Sequence, residues 1–157
     1  MRRQPVCAKI TSSNNERKVY MKICPYLTFG GNCAEAIAHY EKAFDAKAEV
    51  MRYKDAPPES GYQVAKETEN FIMHARLEMG GAAIMLSDMP PENPVNAGDN
   101  IAVMAEFDDA DKLEAAFNTL KAGGQVHMEL QETFWSKRFG SVTDKFGIGW
   151  NLTLGQQ

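Results

Sequence analysis

Apolar and polar positions along this chain alternate in some stretches and recur at helical spacing in others. Ile23 to Phe29 is a β-type run, with Ile23, Pro25, Leu27 and Phe29 on one face and Cys24, Tyr26 and Thr28 on the other. Gly30-Gly31 breaks it. Asn32 followed by Glu35 then has the form of a capping box, and Cys33, Ile37, Tyr40 and Phe44 make one apolar stripe, which predicts a helix over 33–44. Lys47 to Tyr53 reads as a second strand, and the Pro- and Glu-rich span 55–70 as a loop. In Phe71 to Met79, Met73, Ala75, Leu77 and Met79 face one way and His74, Arg76 and Glu78 the other; Gly80-Gly81 turns the chain into a strand from Ala82 to Ser87.

A polar stretch with prolines and glycines, Asp88 to Asn100, separates this unit from a second one of the same form. Ile101, Val103, Ala105 and Phe107 alternate. Asp108 or Asp109 can cap a helix whose stripe is Leu113, Phe117 and Leu120, and Gly123-Gly124 ends it. Gln125 to Gln131 is the next strand. Glu132 to Leu152 reads as strand, turn and strand around Asp144-Lys145-Phe146-Gly147, and it holds both tryptophans. Two copies of βαβββ offset by half the chain give an α+β fold in one domain, 21–157, with module one at 21–88, a linker at 89–99 and module two at 100–155. Residues 1–20 carry almost no apolar periodicity and are read as a disordered extension.

Charge narrows the function classes. The first 20 residues hold five Lys and Arg and one Glu, leaving twelve Lys and Arg against twenty Asp and Glu, a net of −8, in the remainder. Such a body does not suit nucleic acid or an acidic membrane surface, and no apolar run has membrane-spanning length. Cys7, Cys24 and Cys33 show neither CxxC nor Cys/His metal spacing and fit a reducing cytoplasm. Phosphate-loop and dinucleotide fingerprints are absent from the sequence, because the glycine pairs stand alone as turns.

Beyond the repeat, the wording is specific: Pro25-Tyr26-Leu27, Gly31-Asn32-Cys33-Ala34-Glu35-Ala36, His74-Ala75, Ser87-Asp88, and above all Thr133-Phe134-Trp135 with Gly140 to Gly147 and Trp150. Over 22–154 the chain resembles the PhnB-like branch of the vicinal oxygen chelate superfamily, which includes glyoxalases, extradiol dioxygenases, and bleomycin and fosfomycin resistance proteins. The resemblance implies a curled mixed sheet around a cleft with helices outside, and metal ligands from the first and last strand of each module. Those slots fall at Tyr26, Met85, Ala102 and Asn151, and a slip of two residues brings in Cys24, Thr28, Ala83, Ser87, Met104, Gly149 or Thr153. None of these sets makes a His/Glu quartet, so no metal and no other cofactor is expected.

The same faces carry the candidate chemistry. His74 and Glu106 are the catalytic candidates, an imidazole and a carboxylate suited to acid–base work. Tyr26, Arg76, Ser87, Asp88, Thr133, Trp135 and Asn151 are the candidate ligand-binding residues. Against this, His74, Arg76 and Glu78 also fit the wet face of an edge strand, and aromatics on hairpins are commonly core. Asp144 is read as a turn residue, Tyr40 and Phe44 as helix core, Trp150 as packed under a helix, and His39 and His127 as surface or packing residues. Three functions stay open: binding of a small organic molecule in the cleft; a divalent-metal lyase or oxygenase using His74 with Glu106 or Glu78; and sequestration of a cationic drug. The expected partners are a small molecule and a second copy of the chain, the cleft being completed across a two-fold axis.

Overall fold

Each half of the chain builds a four-stranded mixed sheet with one helix against it. A computed structural model describes residues 22–61 and 64–155, so the extension expected over 1–20 lies outside the described residues. Module one comprises β1 (Tyr26–Phe29), α1 (Cys33–Phe44), β2 (Ala48–Arg52), β3 (Ile72–Met79) and β4 (Ala82–Asp88), in the spatial order β1-β4-β3-β2. Module two repeats it with β5 (Ala102–Phe107), α2 (Ala110–Leu120), β6 (Gln125–Gln131), β7 (Phe139–Thr143) and β8 (Gly149–Leu154), in the order β5-β8-β7-β6. The first and last strands of each module run parallel and the other pairs antiparallel. A parallel pair needs a long crossover, which the helix and middle strands supply.

Four details differ from the sequence reading. β1 begins at Tyr26 rather than Ile23, because Pro25 has no N–H for the ladder; its carbonyl only accepts from Met85 N at 2.9 Å. Ile23 is therefore off the core face shared by Leu27 and Phe29, and it is 89% exposed. In β3 the alternation slips at Met73, since Met51 pairs with His74 but Arg52 with Ile72, so Ile72 rather than Met73 is buried. Residues 132–138 form a loop instead of a strand. There Thr133 N donates to Ser136 O at 2.9 Å, closing a turn.

The fourth difference is the cap of α1. Asn32 stands at the N-cap position but its side chain caps nothing. The work falls to Asp88 at the end of β4, whose carboxylate accepts from Gly31 N (2.8 Å), Cys33 N (2.9 Å) and Ile72 N (2.9 Å). In α2, Asp109 caps as expected, accepting from Asp111 N and Lys112 N.

The modules share one core. α1 and α2 pack on each other, and α1 also reaches module two: Tyr40 and Phe44 lie 5.2 and 5.1 Å from Trp150, and Phe44 stacks on Phe107 at 6.4 Å. Burying Trp150 contributes roughly 3 kcal/mol. Its indole N–H donates to Asp144 Oδ2 at 2.8 Å, and Tyr40 OH donates to the same oxygen at 2.7 Å. Asp144 Oδ1 accepts from Phe146 N and Ile148 N, so the turn residue expected from sequence also fastens module two's hairpin to module one's helix. Burial and this carboxylate together push the Tyr40 phenol far above its ordinary range, keeping it a donor. Where α2 crosses β7, only glycine fits: a Cβ on Gly140 would stand 2.8 Å from Phe117 and 2.9 Å from Leu130.

Candidate functional site

Because the helices and their apolar stripes occupy one face of each sheet, the polar alternates are presented on the other. In module one that face holds Tyr26 paired with Met85, Arg76 between Met85 and Glu49, Met51 opposite His74, and Thr28 beside Ser87. Tyr26 is 50% exposed, and its hydroxyl lies 3.3 Å from His74 Nδ1. Arg76 is clamped by Glu78, Nε at 2.9 Å and Nη2 at 2.8 Å from Oε1, which raises the guanidinium's pKa further; Cys24 also approaches it. The structure thus brings Tyr26, His74 and Arg76 onto one surface, with thioethers from Met51 and Met85 between them.

In module two the corresponding face holds Met104, Asn151 and Ser141 in one row across β5, β8 and β7, and Glu106, Thr153 and Phe139 in the next. Thr133 and Trp135 lie in the loop at the end of this face. Ser136 is buried beneath them: its hydroxyl donates to Arg138 O at 2.9 Å and receives Thr153 Oγ1 at 2.9 Å. Trp135 packs edge-on against Phe139 at 5.7 Å. Ser87 and Asp88, grouped with the binding residues from sequence, are both buried, and the oxygens of Asp88 are engaged by the cap of α1.

A groove of about 570 Å³ runs beside the open edge of β5, with Phe44, Ile84, Val103, Phe107 and Trp150 among its walls. Glu78 and Glu106 both line it, whereas His74 does not, so the pairing of His74 with either carboxylate is not assembled in the chain. His127 is engaged by Thr143 at 2.8 Å. His39 is half-buried at the junction of the modules, packed edge-on against Phe146 at 5.6 Å; burial first, and then Lys145, hold its pKa below the usual imidazole value.

The two modules superpose in register through one pair of bonds: Phe29 O accepts from Met89 N, and Phe107 O accepts from Gly155 N. On that correspondence Tyr26 matches Met104, Cys24 matches Ala102, Met85 matches Asn151, and His74 matches Phe139. The metal slots expected from sequence therefore mix two registers. A symmetric set is either Tyr26, Met85, Met104 and Asn151, or Cys24, Met85, Ala102 and Asn151, and neither contains an imidazole or a carboxylate. Among the described residues no three His, Cys, Asp or Glu side chains converge. The donor set does not fit a hard or borderline divalent ion. Sequence reasoning missed Met51, Phe139 and the mixed register, since strand pairing across a loop and a bulge decides them.

Comparison with known proteins points one way. Residues 22–152 match the model of the Glyoxalase/Bleomycin resistance protein/Dioxygenase superfamily. Protein YjdN of Escherichia coli (strain K12) is 31% identical over 144 residues, spanning 87% of this chain and 97% of that protein. Among solved structures, protein PA1353 from Pseudomonas aeruginosa is 36% identical with a TM-score of 0.76, covering 87% of this chain and 99% of that one. A PhnB protein from Bacillus cereus is 26% identical with a TM-score of 0.63, covering 86% and 100%. No described helix is long and apolar enough to cross a membrane.

Proposed function

The chain belongs to the Glyoxalase/Bleomycin resistance protein/Dioxygenase superfamily, and from that membership we propose a PhnB-like protein that binds a small organic molecule in a cleft formed by the helix-free sheet faces, without the superfamily's metal quartet. The observation that carries this reading is the Tyr26–His74 contact, 3.3 Å from hydroxyl to ring nitrogen on an open sheet face, in a chain whose metal slots hold neither imidazole nor carboxylate. A phenol and an imidazole in contact can orient a polar ligand and exchange a proton with it.

The same reading makes the protein a homodimer. β1 and β5 each keep one edge unpaired within the chain, and exposed apolar side chains line both: Ile23 and Tyr26 at β1, Ile101 (78%) and Met104 (57%) at β5. Open apolar edges favour pairing with another strand, and the pseudo-symmetry of the modules lets β1 of one copy lie against β5 of the next. Each cleft then takes one face from each copy.

The test combines metal and imidazole measurements on protein purified without chelator. Elemental analysis and titration with Mn²⁺, Ni²⁺ and Zn²⁺ are expected to find no stoichiometric tight ion, and the His74 ring resonances to stay sharp in Mn²⁺. One tightly held ion per chain, lost in His74→Ala, would replace this reading with a metal-dependent enzyme.

A further inference from the structure

Phe134 is 97% exposed, yet the loop that carries it is braced rather than loose. Thr133 and Ser136 bond each other through backbone and hydroxyl, Ser136 is buried and tied to Arg138 O, and Arg138 reaches Glu114 on α2 at 2.6 Å. Phe134 stands edge-on to Trp135, with centroids 4.5 Å apart and planes at 86°; Trp135 is edge-on to Phe139 at 71°. Two rings fixed at a right angle make a corner that takes a flat ring, stacked on one and edge-on to the other. The hydrogen bonds keep this apolar surface exposed in a fixed form, as binding a flat ring requires.

Within the sheet, the row that starts at Phe139 carries one charge, although Glu132, Lys137 and Arg138 stand in the loop itself. Phe139 is followed across β8 and β5 by Thr153 and Glu106, so the backbones of Phe139 and Glu106 lie two strand spacings, about 10 Å, apart, and the Glu106 carboxylate leans over the end of β8 beside Gly155. Among the described residues no basic side chain forms an ion pair with Glu106. Glu106 can only accept hydrogen bonds, Thr153 gives its proton to Ser136 and so is left as an acceptor, and the carboxylate repels anions.

We propose that Phe134 and Trp135 form an aromatic rim that selects flat aromatic ligands bearing O–H or N–H donors on the edge and no negative charge, with Glu106 as the acceptor opposite the rim. This rests on the reading of the helix-free faces as the cleft.

The test uses matched probes and the two indole N–H resonances of the chain. Trp150, buried and bonded to Asp144, is the internal reference, and Trp135→Phe assigns the pair. 2-Naphthol is expected to shift the Trp135 signal and leave Trp150 in place. 2-Methoxynaphthalene, which lacks the donor, decahydro-2-naphthol, which lacks the flat ring, and 2-naphthoate, which is anionic, are each expected to bind at least about tenfold more weakly. Phe134→Ala, at a fully exposed position, should weaken 2-naphthol about tenfold, and Glu106→Gln should narrow the gap between naphthol and naphthoate. Equal shifts from all four probes, tighter binding of naphthoate, or movement of Trp150 alone would overturn the proposal. Shifts at His74 with none at Trp135 would overturn the rim and leave the cleft standing; shifts at neither would overturn both.

Discussion

A carboxylate buried without a basic partner is stable only if hydrogen bonds replace its water, and Asp88 and Asp144 each solve that problem. Asp88 takes three backbone N–H groups, two of them at the start of α1. Asp88→Ala should therefore cost roughly 2 kcal/mol or more, whereas Asn32→Ala, at the nominal cap, should stay within about 0.5 kcal/mol; urea unfolding of both decides which residue caps the helix. At Asp144, Tyr40→Phe removes one of four donors and should cost about 1–2 kcal/mol, while Asp144→Ala strands all four and should cost at least about 3 kcal/mol. His39 sets a pH dependence of known sign. Its pKa in the fold lies below the ordinary 6.5, so the unfolded chain binds the proton more readily and the contribution falls as pH drops through 6.5. His39→Phe should gain stability relative to the parent between pH 7 and 5 in parallel melts, and an unchanged difference would mean that His39 titrates normally.

Elements whose pattern is local were legible in the sequence, and those decided by pairing were not. α1 spans Cys33–Phe44 as its stripe predicts, because Cys33, Ile37 and Tyr40 recur at the helical period and find the core whatever lies beyond. β6 runs from Gln125 to Gln131 as read. The cap of α1 was misassigned since its carboxylate arrives from 55 residues away, which no local motif encodes. The candidate site shows the same division. The strand faces of His74, Arg76 and Asn151 follow from alternation, but the contact of Tyr26 with His74, the clamp of Glu78 on Arg76 and the non-symmetric metal slots depend on register between strands. Gly140 is a further case, a residue read as part of a motif whose reason is the passage of α2 over β7. Gly140→Ala should cost about 1–3 kcal/mol through Phe117 and Leu130, measured as a drop in melting temperature without change in helix content.

At the scale of the molecule, the unpaired edges of β1 and β5 make the assembly testable. Met104→Lys places a charge on the β5 edge, and if the proposed dimer forms, sedimentation at micromolar concentration should give a folded species near 17.5 kDa for this variant and twice that mass for the parent. A parent that stays at 17.5 kDa on concentration would remove the dimer. The bond from Tyr40 to Asp144 joins residues 104 apart in the chain, and this separation bears on how the protein reaches its fold. Closing so long a loop carries an entropic cost that local hairpins do not, so the two halves are expected to form their own strands first and to lock late, and Asp144→Asn should then speed unfolding more than it slows folding. Either half alone would expose the seam: module one would present Tyr40 and Phe44 to water, and module two a tryptophan and a carboxylate built for a partner that never arrives.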